Sequence, residues 1–168
     1  MTTKQPKNCA GNENSQQRFY CDEMLKRVGR WLRAAGYDTV ITNNELTDRE
    51  MIRQAVDENR CLITRDRKLA EFRYADEVVL LLESNDMEQC IQELTQRIHI
   101  NWLYRPFSRC LLCNTELAPA EANAWQRVPP ESRKSADALS ICPACDKLYW
   151  SGSHTRRMKE KLAGWQAM

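Results

Sequence analysis

The sequence of 168 residues lacks any long hydrophobic run. No uninterrupted apolar stretch approaches the roughly 18 residues that a membrane-spanning helix needs, so no membrane partner is expected. The first 17 residues are polar and lack the apolar segment of a secretory signal. From these absences we expect a cytoplasmic protein with reduced thiols and a flexible tail over residues 1–17.

The chain also lacks a strong net charge, internal repeats and low-complexity segments. Its net charge of +2 is too small to identify a partner, although residues 18–105 carry a slight acidic excess and residues 106–168 a slight basic excess. This distribution is compatible with nucleic-acid binding and does not require it. The apolar fraction of 42% is that of a globular chain, and the length suits one or two small domains.

Up to about residue 105, the sequence alternates between strand and helix patterns. Short apolar runs predict buried strands, and each run is followed by a helical pattern. A T-x-x-E capping box at Thr47–Glu50 begins the second helix, and Gly36 lies where a left-handed residue would end the first. The order βαβαβαβα predicts an α/β fold with a parallel sheet covered on both faces. The strands are expected over Phe19–Cys21, Tyr37–Thr42, Cys61–Thr64 and Glu77–Leu82.

The first helix, which lies within Arg18–Ala35, has two distinct faces. One is an apolar stripe at helical spacing, which should pack on the core, and the other is basic. The basic face suits contacts with a nucleic-acid backbone, although an ordinary solvated face explains it equally well. The apolar stripe contains Met24, Leu25, Val28, Trp31, Leu32 and Ala35, and the basic face contains Lys26, Arg30 and Arg33.

Acidic residues follow the end of every predicted strand. Because ligands of open parallel sheets bind outside the carboxyl ends of the strands, these side chains should share one edge. Convergent carboxylates repel one another unless a cation bridges them, and oxygen ligands suit Mg²⁺ or Mn²⁺. The competing interpretation is that each acid caps a helix. The candidates are Asp22 and Glu23 after the first strand, Asp48 after the second, Asp66 after the third and Asp86 after the fourth.

Two C-x-x-C pairs lie beyond Pro106, where the character of the sequence changes. The pairs Cys110–Cys113 and Cys142–Cys145 are separated by 28 residues. In a reducing environment, four such thiolates predict a closed tetrahedral Zn²⁺ site that is structural rather than catalytic. Disulfides and buried free cysteines are the alternatives. No special role is expected for the other cysteines, of which Cys9 lies in the tail and three are expected to pack in the core.

A family resemblance is carried by three segments: RFYCDEMLKRVGRWLRAAGYDTV, CLITRDRKL and YWSGSH. They resemble the PIN-like ribonuclease domains of the Mut-seven C-terminal RNase group, which have a C-terminal zinc ribbon. The resemblance covers about residues 18–155 and implies a PIN-like three-layer α/β/α domain followed by a small zinc ribbon. From the change in the sequence near Pro106 we expect the domain over residues 18–105, the ribbon over residues 106–155 and a terminal helix over residues 156–168. The resemblance also implies metal-dependent cleavage of RNA, and Asp22, Asp48 and Asp66 match the acidic positions of the family motifs.

Aromatic and basic side chains follow the second cysteine pair. Rings stack on single-stranded bases and cations contact phosphates, so we expect RNA contacts from Trp150, His154, Arg156 and Arg157. The same aromatic side chains have a structural explanation, since they can pack the ribbon against the body.

The expected activity is endonucleolytic hydrolysis of RNA by water activated at Mg²⁺ or Mn²⁺. Asp22, Asp48 and Asp66 would hold the ion, with Glu23 and Asp86 in support. Two alternatives stay open. One is a non-catalytic RNA- or ribonucleoprotein-binding module that uses the zinc ribbon, and the other is a protein–protein adaptor with Trp150 and Trp165 in its interface.

Overall fold

A four-stranded parallel sheet forms the centre of the chain in a computed structural model, which describes residues 6–9, 17–42, 46–134 and 136–168. The strand order is β2-β1-β3-β4, and all three pairings are parallel. This arrangement confirms the predicted α/β class. The strands are β1 (Arg18–Cys21), β2 (Asp38–Ile41), β3 (Cys61–Thr64) and β4 (Val79–Leu81), and the helices of this part are α1 (Lys26–Ala35), α2 (Asp48–Asp57), α3 (Ala75–Val78) and α4 (Met87–Arg97).

Two hydrophobic cores lie on opposite faces of this sheet. Side chains alternate along each strand, so Phe19 and Cys21 enter one core while Tyr20 enters the other. The first core receives α1 and α4, and the second receives α2 and α3. Burial on both faces explains why β3 is apolar up to its last residue, Thr64, with all four residues buried. The result is the predicted three-layer α/β/α arrangement.

Helix α1 packs on the sheet through the stripe that contains Leu25, Val28 and Leu32. It ends at Gly36, whose φ of 102° is the left-handed C-cap conformation predicted from the sequence. The stripe does not include Met24, whose side chain is 61% exposed. Residues Glu23–Leu25 form a 3₁₀ turn, which has about three residues per turn, so Met24 points away from the α-helical stripe.

Helix α3 replaces the first part of the strand predicted over Glu77–Leu82. Ala75 and Val78 are both buried at a spacing of three residues, which suits one helical turn, and strand β4 begins only at Val79. The helical segment that follows β3 is a 3₁₀ helix over Arg67–Glu71. The apolar run EVVLLL did not reveal this division, because a run of this kind fits either a buried helix turn or a buried strand.

A disulfide joins Cys9 to Cys61 at the start of β3. Cys9 is fully buried in the first core, at the end of a 3₁₀ turn over Lys7–Cys9. The expectation of reduced, unpaired thiols is therefore wrong for this pair, and the flexible-tail prediction does not hold for Lys7–Cys9. The rest of the predicted tail, apart from residues 6 and 17, lies outside the described residues. The sequence places these cysteines 52 positions apart, and only the tertiary structure brings them together.

The C-terminal part forms a three-stranded antiparallel sheet with its own small core. The core contains Val128, Leu139 and Leu148, and the proline-containing middle segment includes a 3₁₀ helix over Ala122–Arg127. The elements are β5 (Ala118–Pro119), β6 (Leu139–Ile141) and β7 (Leu148–Trp150), with α5 (Pro130–Arg133) between β5 and β6 and α6 (Ser153–Gln166) at the end.

Helix α6 returns to the first core. Trp165 is buried there against Trp31 and Trp102, with ring centroids 4.7 Å and 5.2 Å away. Its indole N–H donates to Glu88 of α4. Trp165 is therefore not available for the adaptor interface considered above. None of the described helices is both long enough and apolar enough to cross a membrane.

A partly buried ion-pair network around the buried Arg60 holds the amino ends of the strands together. Arg60 donates from both terminal nitrogens to the Asp38 carboxylate, at 2.9 Å and 3.1 Å, and Arg18 donates to the same carboxylate at 3.0 Å. Asn114 of the C-terminal part donates to it as well, at 2.7 Å. Burial by itself would raise the pKa of Asp38, but these donors, Arg60 first, hold that pKa well below its ordinary value.

Substitution Asp38→Asn should lower the free energy of unfolding by about 2 kcal/mol at neutral pH, because the buried Arg60 loses one of its two carboxylate partners and keeps only Glu58, at 2.6 Å. A depressed pKa contributes stability above the unfolded-state pKa of about 4, and that contribution is lost as the pH falls through the folded-state value. The difference between wild type and variant should therefore shrink below about pH 4. Urea unfolding across this pH range measures it.

The control is Asp57→Asn, which removes an exposed carboxylate paired with Arg53 at 3.6 Å. Exposed pairs contribute about 0–1 kcal/mol, so this variant should stay close to wild type at every pH. Equal stability of Asp38→Asn and wild type at neutral pH would contradict the role given to the network.

Candidate active site and zinc centre

Four cysteines from two loops of the C-terminal part form one cluster. The ligand atoms of Cys110, Cys113, Cys142 and Cys145 all lie within 4.8 Å of one another. The two loops have the same backbone geometry. The N–H of Cys110 donates to the Thr115 carbonyl and that of Cys142 to the Lys147 carbonyl, five residues ahead in both cases. Asn114 and Asp146, at matching positions, both have positive φ.

The donor set fits a zinc ion. Four thiolates at about 2.3 Å from Zn²⁺ in a tetrahedron lie about 3.8 Å from one another. The Sγ atom of Cys113 lies 3.3 Å from that of Cys142 and 3.7 Å from that of Cys145. The Sγ atoms of Cys110 and Cys145 are 3.5 Å apart. Four protein thiolates fill a tetrahedral shell, so this site could hold a structural zinc and leaves no position for a substrate.

The protonation of these thiols is uneven. Burial opposes ionisation of Cys113, but interactions with Thr115 outweigh it and lower the pKa of this thiol to about 6. The backbone N–H of Lys147 favours the Cys145 thiolate, yet the neighbouring thiols, Cys142 first, raise the pKa of Cys145 to about 12. The thiols thus influence one another's ionisation, and a bound cation would favour the thiolate form of all four.

Tyr149 supports the cluster from β7. Its hydroxyl lies 3.1 Å from the Cys110 sulfur and accepts a hydrogen bond of 3.0 Å from the Leu111 N–H. Burial, followed by the contact with Cys110, raises the pKa of Tyr149 above its ordinary value. The residue therefore stays a neutral donor that can hydrogen-bond to the Cys110 thiolate. Nothing in the sequence signalled this role, because β7 passes the first cysteine loop only in three dimensions.

Arg33 connects helix α1 to the first cysteine loop. Its guanidinium donates to the carbonyls of Leu111 and Leu112, at 3.1 Å and 2.8 Å, and to that of Thr39 at 2.8 Å. The residue is only 5% exposed. The prediction that Arg33 contacts RNA is therefore wrong, since all of these donors face backbone carbonyls inside the protein.

Asp22 lies directly after β1 and is buried, with 6% of its surface exposed. Its Oδ1 accepts a hydrogen bond of 3.0 Å from the Leu25 N–H, which caps the 3₁₀ turn before α1. Its Oδ2 accepts from the Thr64 hydroxyl at the end of β3. That hydroxyl also accepts from the Asp66 N–H at 2.9 Å. Thr64 therefore connects the two acidic loops after β1 and β3.

The helix-cap interpretation holds for several of the acids. Asp66 Oδ1 accepts from the Lys68 N–H at 2.9 Å, and Asp86 Oδ1 accepts from the N–H groups of Glu88 and Gln89. Asp48 does not cap α2, because Thr47 and Glu50 form the predicted capping box. Glu23 is exposed in the 3₁₀ turn after Asp22.

The sheet order places the loops that carry these acids along one edge. Strand β1 lies between β2 and β3, so the loop carrying Asp22 is flanked by those carrying Asp48 and Asp66, and Asp86 follows the outer strand β4. Within the described ranges, the four cysteines are the only group of three or more ligand residues close enough to share a metal ion. The carboxylates thus share an edge without forming a ready-made cage.

The predicted RNA-contact residues differ in accessibility. Lys26 and Arg30 are exposed on α1, and Trp150 is half-buried at the end of β7. The α6 residues His154, Arg156 and Arg157 are exposed. Arg33 is the one that the fold buries.

The comparison with known families agrees with the sequence motifs. A family model described as Mut7-C RNAse domain matches residues 17–162. The match includes the parallel sheet, the four-cysteine cluster and most of α6. No curated protein matches the chain.

Freshly purified, reduced protein should contain about one zinc per chain, and Cys110→Ser or Cys142→Ser should reduce this content strongly. Because metal binding is coupled to folding, both variants should also lose ordered structure in the C-terminal part. Zinc analysis by mass spectrometry and near-ultraviolet circular dichroism measure the two effects.

The matched control is Cys90→Ser, a buried cysteine outside the cluster whose sulfur donates to the Ser84 carbonyl, as a serine hydroxyl can. It should keep its zinc. Wild-type zinc content far below one per chain would contradict the assignment.

Proposed function

Because the chain belongs to the Mut7-C RNase domain family, we propose that it is an endoribonuclease whose cleavage of RNA depends on Mg²⁺ or Mn²⁺. In this proposal, Asp22, Asp48 and Asp66 hold the metal ion at the carboxyl edge of the parallel sheet, with Glu23 and Asp86 in support. The family gives the ribonuclease-type function, and the residue roles and the metal dependence are our own assignment.

The observation that carries the proposal is the hydrogen-bonded link through Thr64. Its hydroxyl donates to the Asp22 carboxylate and accepts from the Asp66 N–H, so one buried side chain sets the spacing of the two loops. Asp22 is buried, which is costly for a carboxylate that serves only as a turn cap. A buried carboxylate next to a second acidic loop suits a cation better than it suits a cap alone.

The carboxylate oxygens at this edge suit a weakly held ion whose coordination shell is completed by the substrate. Mg²⁺ usually binds through one or two carboxylates together with substrate phosphates and waters, so a closed cage of protein ligands is not required. Asp66 and Asp86 use only Oδ1 for capping, which leaves Oδ2 of each as an available ligand. When bound, the ion would activate water for attack on a phosphodiester.

The side chains near this edge can position an RNA strand. Lys26 and Arg30 are exposed on α1, which begins four residues after Asp22. Their charges attract phosphates, and the attraction weakens as salt is added. Asp22 and Thr64 would position the ion, while these cations hold the strand beside it.

A second candidate is a non-catalytic RNA-binding module. It is favoured by the capping contacts of Asp22, Asp66 and Asp86, which give each of these acids a structural role without a metal. In this case the zinc ribbon and α6 would supply the RNA contacts.

Wild-type protein should cleave single-stranded RNA with added Mn²⁺ or Mg²⁺, and Asp22→Asn and Asp66→Asn should each slow cleavage by about a hundredfold or more, because a ligand charge is removed. Both substitutions keep the side-chain size, and the amide oxygen can still accept the capping bond. Single-turnover cleavage of labelled RNA measures the rates, and thermal unfolding checks the fold of each variant.

Asp57→Asn is the matched control, since Asp57 is exposed at the end of α2 and away from the proposed site. It should cleave as wild type does. Unchanged cleavage by folded Asp22→Asn and Asp66→Asn would refute the site, and RNA binding without cleavage under any metal condition would favour the second candidate.

A further inference from the structure

A cavity of about 380 Å³ lies between the zinc ribbon and helix α6. Its walls include Phe107, Trp150 and Tyr149 on the aromatic side and Arg156 and Lys159 on the basic side. Binding sites for small molecules and cofactors typically measure about 300–1,000 Å³, so this cavity has room for a ligand of the size of one nucleotide.

The aromatic wall is held in place by the zinc ribbon. Tyr149 is fixed by its hydroxyl, which contacts Cys110 and Leu111. Trp150 packs on the small core of the ribbon, and its carbonyl accepts from the Thr155 hydroxyl at 2.9 Å. In the part of the chain that the structure describes, the Trp150 indole N–H has no hydrogen-bond partner, whereas those of Trp102 and Trp165 donate to Thr95 and Glu88. Trp150 thus presents a rigid ring and an available donor.

The basic wall carries charges that the protein itself does not neutralise. Neither Arg156 nor Lys159 has an ion-pair or hydrogen-bond partner for its side chain among the described residues. Arg127 of the same C-terminal part, by contrast, is paired with Asp146 at 2.8 Å. One carboxylate, Asp137, also lines the cavity. It can accept hydrogen bonds from a base edge and would repel a second phosphate, so an anionic group should bind on the α6 side.

We infer that this cavity binds one nucleotide of a single-stranded RNA, with the base against Trp150 and the phosphate between Arg156 and Lys159. Flat aromatic side chains stack on unpaired bases, and nearby cations hold the backbone. The inference rests on the proposed function only in taking RNA as the ligand, and it does not depend on cleavage.

The cavity is separate from the carboxyl edge of the parallel sheet, where Asp22 lies. The Phe107 N–H donates to the Ala34 carbonyl at the carboxyl end of α1, whereas Asp22 precedes the amino end of that helix. Ten residues of α-helix span about 15 Å, so a nucleotide in the cavity is too distant to be the one cleaved. The cavity would therefore anchor the strand and increase affinity for RNA that extends beyond the cleavage site.

The test is fluorescence anisotropy with the zinc-loaded full chain and a labelled oligouridylate about 10 nucleotides long, without added Mg²⁺ or Mn²⁺. The double variant Arg156→Ala/Lys159→Ala and the variant Trp150→Leu should each weaken binding by about tenfold. The slope of log affinity against log salt should fall by about 0.7 for each phosphate that the double variant no longer binds. Trp150→Phe, which keeps a ring for packing, should retain zinc and bind more tightly than Trp150→Leu.

The charge-matched control is Arg53→Ala/Lys134→Ala, which removes two exposed cations that do not line the cavity. It should bind RNA as wild type does. Equal affinities for wild type and the cavity variants would overturn the inference, as would competition by oligoglutamate as effective as that by unlabelled oligouridylate, because the cavity would then accept an acidic peptide.

Asp22→Asn separates this inference from the proposed catalytic function. Without divalent metal it should bind the oligouridylate at least as tightly as wild type, since Asp22 does not line the cavity and its carboxylate repels phosphates. If the cavity variants lose binding while wild type cleaves nothing, the inference stands and the catalytic proposal fails. If they bind normally while Asp22→Asn loses cleavage, the reverse holds.

Discussion

The buried guanidinium of Arg33 is the interaction that joins the two halves of this protein. Arg33 extends from α1, which packs on the parallel sheet, and donates to carbonyls of Thr39, Leu111 and Leu112. A buried cation without these acceptors would be costly, so the first cysteine loop must close against α1 for the fold to be stable. Burial lowers the pKa of Arg33, and carbonyl dipoles rather than a carboxylate balance the remaining charge. The zinc ribbon is therefore part of the same folded unit as the sheet.

This connection links the cysteine cluster to the residues at the other end of α1. The four cysteines shape the loop that Arg33 contacts and that carries Asn114. The Asn114 side chain accepts from the Thr39 N–H and donates to Asp38. At its amino end, α1 follows the turn capped by Asp22. Hydrogen bonds thus link the ribbon to helix α1, and helix α1 to the turn that Asp22 caps. Helix α6 adds a second attachment, because Trp165 packs between Trp31 and Trp102.

Much of the fold was accessible from local patterns. The apolar run Cys61–Thr64 identified β3 to the residue, and the Thr47–Glu50 pattern identified the start of α2, because both features depend on neighbours in sequence. The wrong assignment of Met24 to the apolar stripe of the first helix has a local cause, since the 3₁₀ turn before α1 shifts the side chains relative to the α-helical spacing. The errors at Arg33 and Cys9 have a long-range cause. Two of the three acceptors of Arg33 lie 78 and 79 positions away, and the partner of Cys9 lies 52 positions away. Neither residue carries a local mark of burial.

The sequence by itself determined the family, the α/β class and the four cysteines of the ribbon, since each depends on residue types at short fixed spacings. It also placed an acid after every strand of the sheet. Only the tertiary structure decided which of these groups meet. The strand order puts β1 between β2 and β3, and the Thr64 hydroxyl then bridges Asp22 and the Asp66 backbone. The contact between Thr64 and Asp22 joins residues 42 positions apart, so it is created by the packing of the sheet and is not encoded in any one segment of the chain.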